Sequence, residues 1–320
     1  MIGGTVMYHD YNMEKILEHI RTCPKKKFIL DTDTYNEIDD QFAITYAMLA
    51  DDIDLLALTA APFLNSRAKT VEEGMEKSYE EMVRVRDLVD PDGARNIPCY
   101  RGSRDYMKNI ITPQPSEAAE NIVRIVKEAD DIVYIAVIGC YTNVASALLL
   151  DPSIMDKAVI LMIGANKFER GDANEFNLMQ DRAAARVIFE CGVPLVVLPA
   201  FDCTERLYMT NGELMYFLWN KAGKIGNYLC DIFNKDEHFP DDEENNCFSR
   251  QRSIWDIGSV AFLRKAGEIC HVNVVPARTI DARGMWRDLN DGRDMIYVDW
   301  FDRNKVLSDF YTVVRKAKLI

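Results

Sequence analysis

The chain has 320 residues and a formal net charge of −13 at pH 7, with 51 acidic against 38 basic side chains. This acidic excess argues against binding to nucleic acid or to an anionic membrane surface, because both present the same sign of charge. No apolar run approaches the roughly 18 residues of a membrane span. No Pro, Gly or Ser linker divides the sequence, so we expect a single domain over residues 1–320.

The eight cysteines are scattered and include no Cys-x-x-Cys pair. Such spacing is typical of reduced thiols rather than of a disulfide framework or a zinc site. Because the start of the chain also lacks the pattern of a signal peptide, we expect a cytoplasmic protein.

Apolar segments rich in β-branched residues alternate with amphipathic helical patterns along the chain. We predict strands over 28–31, 53–60, 132–138, 158–163 and 193–198, with helices over 67–88, 116–129, 142–150 and 179–191. Continuous apolar strands separated by helices are typical of a doubly buried parallel sheet. The predicted fold class is therefore α/β, with a mostly parallel, doubly wound (Rossmann-like) sheet and helices on both faces.

The segment 201–252 has a different pattern. An aromatic helical stretch from Leu214 to Phe233 is followed by a polar, mainly acidic loop over 234–246. The pattern alone is equally consistent with a solvated surface insertion and with a cover over a site. Beyond it, the sequence predicts strands over 271–275 and 295–299 and a closing helix over 303–317.

The first predicted strand ends in a dense group of acids. The group consists of Asp31, Asp33, Glu37, Asp39 and Asp40. Like charges this close raise one another's pKa, so a fold keeps them together only where a cation compensates or a proton is shared. They lie between a strand and a helix, where open α/β sheets bind ligands. The loop contains neither His nor Cys, which favours a hard ion such as Ca²⁺ or Mg²⁺ over zinc.

Two other aspartate-rich patterns can be compared with this loop. The EF-hand pattern fails, because Tyr35 and Asn36 stand where it requires Asp or Asn and then Gly. The nucleophile motif of haloacid-dehalogenase phosphatases fits at Asp31 and Asp33 but not at Tyr35. That alternative stays open and predicts an aspartyl phosphate at Asp31 with Mg²⁺ dependence.

The acidic loop resembles that of the inosine-uridine-preferring nucleoside hydrolases. Their hallmark Asp-x-Asp-Pro-Gly-x-Asp-Asp is matched by Asp31-Thr32-Asp33 and Asp39-Asp40, with a loop two residues longer. Further segments resemble the family in the same order: Leu58 to Asn65, Gly139 to Ala145, Met162 to Ala165, Glu175 to Asn177, Asp181 to Ala185, and Trp255-Asp256.

The resemblance implies a calcium-dependent N-ribosyl hydrolase. The Ca²⁺ ion would be bound by the carboxylates of Asp33, Asp40 and Asp256 and by the backbone carbonyl of Thr142, with sugar hydroxyls and water completing its oxygen ligands. Asp33 would also act as the general base that takes a proton from the attacking water. Asp31 would orient its neighbours.

The resemblance also implies a ribose-binding set. Asp39 would hydrogen-bond the 2′-hydroxyl, and Met162 would pack against the sugar. Other ribose oxygens would be bound by Asn65, Glu175 and Asn177.

The implied reaction hydrolyses the N-glycosidic bond of a ribonucleoside to ribose and free base, as in purine or pyrimidine salvage. Family members are commonly oligomers, so we expect a homodimer or homotetramer whose other partner is the small-molecule nucleoside, with residues 201–252 capping the site.

The chain departs from the family in its leaving-group acid. Trp255 stands where the family has a histidine acid. Tryptophan can stack on a base but cannot donate a proton as a useful acid, and a missing general acid typically costs about 10² to 10⁴ in rate.

Three accounts of this departure stay open. Trp255 could stack on a purine, His238 in the acidic loop could supply the proton, or the substrate could be something other than a common nucleoside. A nucleoside- or ribose-binding protein without turnover is the alternative from a different class.

Overall fold

The structure is a computed structural model that describes residues 12–234 and 250–319. Its strands are β1 Lys26–Thr32, β2 Ile53–Ala60, β3 Cys99–Tyr100, β4 Val133–Val137, β5 Ala158–Ile163, β6 Leu195–Leu198, β7 Tyr208–Thr210, β8 Gln251–Ser253, β9 Cys270–Pro276, β10 Arg278–Ile280, β11 Trp286–Asp288 and β12 Asp294–Phe301. Its α-helices are α1 Met13–Thr22, α2 Asp39–Leu49, α3 Val71–Val89, α4 Glu117–Glu128, α5 Thr142–Leu150, α6 Phe176–Gln180, α7 Arg182–Glu190, α8 Asn211–Phe217, α9 Gly223–Asn234, α10 Ile257–Lys265 and α11 Arg303–Val314.

Eight strands form one sheet in the order β3-β2-β1-β4-β5-β6-β12-β9. Neighbouring strands are parallel except β12 and β9, which are antiparallel. Strand order reverses between β1 and β4, and open α/β sheets bind ligands beyond the carboxyl ends of the strands at such a point. The predicted α/β class and mostly parallel sheet are confirmed.

Both faces of the sheet are buried, which explains why its strands are continuously apolar. In β1, Phe28 and Leu30 pack into the core on one face, and Ile29 packs into the core on the other. The first face is covered mainly by α1, α2, α3, α9, α10 and α11. The second is covered by α4, α5 and α7.

Helix α2 is buried over its whole length, from Asp39 to Leu49. Its two aspartates lie in the first turn, where the unpaired backbone N–H groups and the helix dipole favour negative charge. The helix therefore holds Asp39 and Asp40 against the carboxyl edge of the sheet, without the polar face that most surface helices have.

The helical stretch predicted from Leu214 to Phe233 is two helices, α8 and α9. Asn220 between them and Gly223 at the start of α9 have φ values of 55° and 62°, in the left-handed region that interrupts a helix. Helix α9 packs into the core against α2 and α3, and α8 packs against α9. His238 and the rest of the acidic loop over 235–249 lie outside the described residues.

No helix within 12–234 or 250–319 combines the length and the apolar character that a membrane crossing requires.

Candidate active site

The loop after β1 and the first turn of α2 place three aspartates in one cavity at the carboxyl edge of the sheet, and a fourth, Asp256, comes from the residue before α10. The cavity has a volume of about 150 Å³. Its acidic lining consists of Asp33, Asp39, Asp40 and Asp256, with Glu37 and Glu175 in addition. The other lining residues are Asn36, Ile138, Ile163, Gly164, Phe176, Asn177, Ala200, Phe201 and Trp255. The cavity therefore combines a carboxylate floor, formed by the four aspartates, with an aromatic wall, formed by Phe176, Phe201 and Trp255.

Three of the carboxylates form the centre of this acidic group. One oxygen each of Asp39, Asp40 and Asp256 lies within 4.8 Å of the others. Asp256 immediately precedes α10, so two helix N-termini, those of α2 and α10, meet at the cluster. The Asp39 and Asp256 carboxyls are hydrogen-bonded to each other, which requires a shared proton when no cation is bound.

Burial is the main cause of the high pKa values in the cluster. Burial, and then the charge of the neighbouring acids, raises the pKa of Asp33, Asp40 and Asp256 well above the usual value. Burial, followed by the charge of Glu37, raises the pKa of Asp39 to about 7. Arg252 opposes this shift and lies 3.7 Å from Glu37. Within 12–234 and 250–319, the opposing charge of Arg252 does not balance these five acids, so the cluster is stabilised by protons or by a multivalent cation.

The donor set fits a hard divalent cation. Asp33 lines the cavity, and its Oδ2 atom is buried with no hydrogen-bond partner among the described residues. An orphaned carboxylate oxygen is costly in a buried site unless a ligand satisfies it. The four aspartates offer oxygen atoms only, which suits Ca²⁺ or Mg²⁺.

Two threonine hydroxyls donate hydrogen bonds to aspartates of the acidic loop, Thr32 to Asp40 and Thr59 to Asp31. The Thr32 hydroxyl donates to Asp40 Oδ1 at 2.5 Å. Asp31 lies deeper, and its Oδ1 atom accepts hydrogen bonds from the Thr59 hydroxyl at 2.6 Å and from the Asn143 amide at 2.8 Å. Burial raises the pKa of Asp31 to about 7. Asp31 is fully buried and is not part of the cavity lining, so it cannot serve as the phosphatase nucleophile.

Glu175 is held mainly by the fold. Its carboxylate caps α6 and accepts from the backbone N–H groups of Asn177 at 2.8 Å and Leu178 at 2.7 Å. It also accepts from the Ala165 N–H at 3.1 Å and the Tyr141 hydroxyl at 3.3 Å. Although Glu175 lines the cavity, most of its acceptor capacity is already used.

Asn177 has a free acceptor next to the acids. Its Nδ2 donates to the backbone carbonyl of Ile138 at 2.8 Å, while its Oδ1 is buried and has no hydrogen-bond partner among the described residues. Asn177 Oδ1 is therefore well placed to accept a hydrogen bond from a substrate hydroxyl group.

Thr142 is not among the residues that line the cavity. It begins α5, and helix carbonyls point toward the C-terminal end, away from the sheet edge. Its hydroxyl donates to Asp181 Oδ2 at 2.7 Å. Ile138, at the end of β4, lines the cavity instead. This corrects the expectation that the Thr142 carbonyl faces the metal.

Met162 and Asn65 are also displaced from the positions that the resemblance implies. Met162 packs into the core on the face that α5 and α7 cover, because side chains alternate along β5 and the cavity is lined by the next residue, Ile163. Asn65 does not line the cavity. Its amide donates to Asn36 Oδ1 at 2.6 Å, and Asn36 is the residue that lines the cavity.

Several lining residues were not predicted from the sequence. Asn36 comes from the lengthened loop, and the two extra residues of that loop were the signal that could have indicated it; Glu37 of the same loop was predicted as one of the clustered acids. Phe176 and Phe201 join Trp255 in the aromatic wall. Phe201 comes from the turn after β6, where no local pattern indicated a site.

The family model described as "Inosine-uridine preferring nucleoside hydrolase" matches residues 28–307. The chain belongs to this nucleoside hydrolase family. It is 28% identical over 243 residues to the probable uridine nucleosidase 1 of Oryza sativa subsp. japonica, covering 70% of this chain and 74% of the relative. It is also 28% identical over 228 residues to the pyrimidine-specific ribonucleoside hydrolase RihB of Escherichia coli (strain SE11), covering 66% of this chain and 70% of the relative.

Solved nucleoside hydrolases share the fold. The purine-preferring ribonucleoside hydrolase from Gardnerella vaginalis superposes with a TM-score of 0.71 at 22% identity, covering 92% of this chain and all of that one. A structure named inosine-guanosine nucleoside hydrolase gives a TM-score of 0.69 at 20% identity, covering 90% of this chain and 98% of that one.

Membership of the nucleoside hydrolase family makes the chain a ribosyl hydrolase that acts on ribonucleoside N-glycosidic bonds. The predictions of family and of enzyme class are confirmed. The phosphatase alternative is excluded, both by the family and by the burial of Asp31. The family is metal-dependent in general, and the acidic cluster is the candidate metal centre of this member.

Proposed function

We propose that this nucleoside hydrolase uses Ca²⁺ to hydrolyse the N-glycosidic bond of a ribonucleoside. The observation that carries the proposal is the convergence of four buried aspartates with raised pKa values on one cavity. Ca²⁺ takes six to eight oxygen ligands in flexible geometry, whereas Mg²⁺ requires a near-ideal octahedron and keeps several waters. A floor of four carboxylates beside a backbone carbonyl suits the larger ion.

The proposed protein ligands are the carboxylates of Asp33, Asp40 and Asp256 and the backbone carbonyl of Ile138. Ile138 replaces Thr142, because it is the residue at the end of β4 that lines the cavity. When bound, the ion would supply a fixed positive charge that anchors sugar hydroxyls and acidifies a water molecule. Thr32 would keep the Asp40 carboxylate in the orientation that its hydrogen bond sets.

Asp33 is the proposed general base. Its unpartnered Oδ2 atom can accept the proton of the attacking water. Asp39 would accept a hydrogen bond from the 2′-hydroxyl, and Asn177 Oδ1 would accept one from another ribose hydroxyl. The oxocarbenium-like sugar that forms as the base departs carries positive charge, which the surrounding carboxylates stabilise.

The aromatic wall is the proposed binding surface for the base. Trp255, Phe176 and Phe201 line the cavity above the carboxylates, and aromatic side chains stack on purines and pyrimidines alike. Trp255 cannot protonate the leaving base. His238 stays a candidate for that role, outside the described residues.

Base release from a panel of purine and pyrimidine ribonucleosides and deoxyribonucleosides, with and without a calcium chelator, tests this proposal. We expect release from ribonucleosides, loss of release with the chelator, and recovery on adding Ca²⁺. Deoxyribonucleosides should react much more slowly, because Asp39 then has no 2′-hydroxyl to bind. Release that a chelator leaves unchanged would contradict the proposed metal role.

Trp255 stands at the position of the family's acid, so the same panel also measures how much turnover this member retains. A chain that bound Ca²⁺ and nucleoside but released no base would contradict the proposed reaction.

Homodimer or homotetramer assembly and a cytoplasmic location also stay proposals. Sedimentation of the purified chain would test the first, and cell fractionation the second.

A further inference from the structure

A second group of metal-binding side chains lies at the opposite edge of the sheet from the acidic cavity. His19 is in the last turn of α1, Cys23 follows that helix as its C-cap, and Asp131 comes just before β4. A ring nitrogen of His19, the Cys23 sulfur and an Asp131 oxygen all lie within 4.8 Å of one another. Asp33, Asp39 and Asp40 of the cavity follow β1, at the other ends of the same parallel strands. The two groups are therefore separate.

Tyr134 fixes the orientation of the His19 ring. His19 Nδ1 lies 2.7 Å from the Tyr134 hydroxyl, and His19 Nε2 lies 3.3 Å from Asp131 Oδ2. Burial raises the pKa of Tyr134, so this hydroxyl stays neutral. A histidine that binds a metal through one nitrogen normally hydrogen-bonds through the other, which sets its tautomer and direction.

The separation of the nitrogen and oxygen ligand atoms matches a tetrahedral zinc site, and the sulfur lies within 4.8 Å of both. Zinc bonds of about 2.0–2.1 Å to nitrogen and oxygen place those two atoms roughly 3.3–3.4 Å apart, and His19 and Asp131 already have this separation. The sulfur of a thiolate ligand would lie roughly 3.5–3.6 Å from each of them. His19 and Cys23 are four residues apart on one helical turn, the spacing at which side chains face each other.

An ion pair between His19 and Asp131 explains only part of this arrangement. Their side chains are 24% and 49% exposed, and a pair so exposed contributes little to stability. The pair also does not involve the half-buried Cys23 thiol beside it, which donates to the Lys25 carbonyl at 3.4 Å. Lys27 in β1 forms its ion pair with the neighbouring Asp130, at 3.0 Å.

We infer that His19 Nε2, the Cys23 thiolate and the Asp131 carboxylate bind a divalent transition-metal ion, best Zn²⁺, with water as the fourth ligand. Imidazole and thiolate select zinc over calcium, so this site differs in chemistry from the acidic cavity. The metal would connect α1 to β4, adding to the burial of Met13, Ile16, Leu17 and Ile20 that holds the helix on the core. The inference does not depend on the proposed catalytic function.

Cobalt titration of the full, reduced chain in excess Ca²⁺ tests this inference, with Co²⁺ as the spectroscopic probe for zinc. We expect a near-ultraviolet thiolate-to-cobalt charge-transfer band that saturates at one equivalent and disappears when Zn²⁺ is added. Cys23→Ser should abolish the band. The matched control is Cys99→Ser, which removes another half-buried thiol, one that accepts a hydrogen bond from Arg86 instead of lying in a metal-binding group.

Two further measurements distinguish a metal site from side chains that only pack against one another in the fold. Tyr134→Phe removes the hydroxyl that orients His19 and should weaken Zn²⁺ binding roughly 10- to 100-fold. Zn²⁺ should raise the thermal midpoint of the wild type but not that of Cys23→Ser. A wild type without the charge-transfer band, or a band of equal strength in Cys23→Ser, would overturn the inference.

Discussion

At the residue scale, Asp33 differs from the other acids of the cavity. The Asp39 and Asp256 carboxyls share a hydrogen bond, and Asp40 accepts one from Thr32. The Oδ2 atom of Asp33 has no partner in the described part of the chain. It is therefore available both to a cation and to the proton of a water molecule.

Replacing Asp33 with Asn should lower kcat/KM for base release by a factor of about 10² or more, the usual contribution of a general base. The amide cannot take the proton and donates where the site needs an acceptor. The variant should fold, because it removes a buried charge that Asp40 and Asp39 repel. Rates and thermal midpoints of wild type and variant check this prediction.

The matched control is Asp54→Asn, which changes an acid paired with Lys25 at 3.5 Å, outside the cavity. Its rate should equal that of the wild type. If Asp33→Asn keeps its rate within a factor of about ten, Asp33 is not the base.

At the scale of elements, the turn after β5 brings the sheet edge close to α5 and α6. Gly164 has a φ of 142°, and a Cβ atom there would lie 1.9 Å from the Tyr141 hydroxyl oxygen and 2.8 Å from Glu175 Oε1. Only glycine fits at this turn. The close approach lets Glu175 cap α6 and bond to Tyr141 at once.

Gly164→Ala should lower the free energy of unfolding by about 3 kcal/mol or more, from backbone strain of about 1–3 kcal/mol and overpacking of about 1–3 kcal/mol. Gly93→Ala is the control for strain alone, since Gly93 has a φ of 65° with nothing within 4 Å of the added atom. It should cost about 1 kcal/mol. Denaturant unfolding measures both.

Adding Tyr141→Phe to Gly164→Ala should restore part of the lost stability, because it removes the oxygen atom that the new methyl group meets. Equal stability of the single and double variants would show that strain, and not the contact with Tyr141, causes the loss.

At the scale of the whole molecule, the acidic cavity links stability to pH and to metal. Burial raises the pKa of both Asp31 and Asp39 to about 7 in the metal-free fold, against about 3.9 in an unfolded chain. Between these values the folded state binds more protons than the unfolded state. The stabilisation is complete below the lower pKa and is lost as pH rises through the higher one.

The thermal midpoint of the chelator-treated protein should therefore fall as pH rises from about 5 to about 8. Calcium competes with protons for the carboxylates and binds more tightly as pH rises. The difference in midpoint between calcium-loaded and chelator-treated protein should widen over the same range. Calorimetry at several pH values, with and without Ca²⁺, measures both trends.

Asp256→Asn should abolish most of the calcium-dependent rise in midpoint, because it removes one of the three clustered carboxylates. A calcium effect that is unchanged in this variant, or that shrinks as pH rises, would place the ion elsewhere.

The sequence by itself determined the fold class and the chemistry of the acidic loop. Both depend on local patterns: the apolar runs that became β1, β2, β4, β5 and β6, and the acids between β1 and α2. A buried strand needs apolar residues on both faces wherever it lies in the sheet. A group of carboxylates needs a proton or a cation in any fold.

Only the tertiary structure decided which neighbours face the cavity. Met162 and Ile163 are both apolar and adjacent, and strand alternation places them on opposite faces of the sheet. Thr142 matches the family motif, yet Ile138 lies at the strand end. A side chain's direction depends on its element and on the strands beside it, which the residue type does not encode.

The second metal group shows the same dependence on the fold. His19 and Asp131 are 112 residues apart in the chain and 3.3 Å apart in space, and the spacing of the cysteines gave no sign of them. Helix α1 reaches Asp131 only because its apolar side chains pack against α10 and β12, which places His19 beside Tyr134 of β4. Such a contact exists only after the sheet has assembled, so no local pattern in the sequence records it.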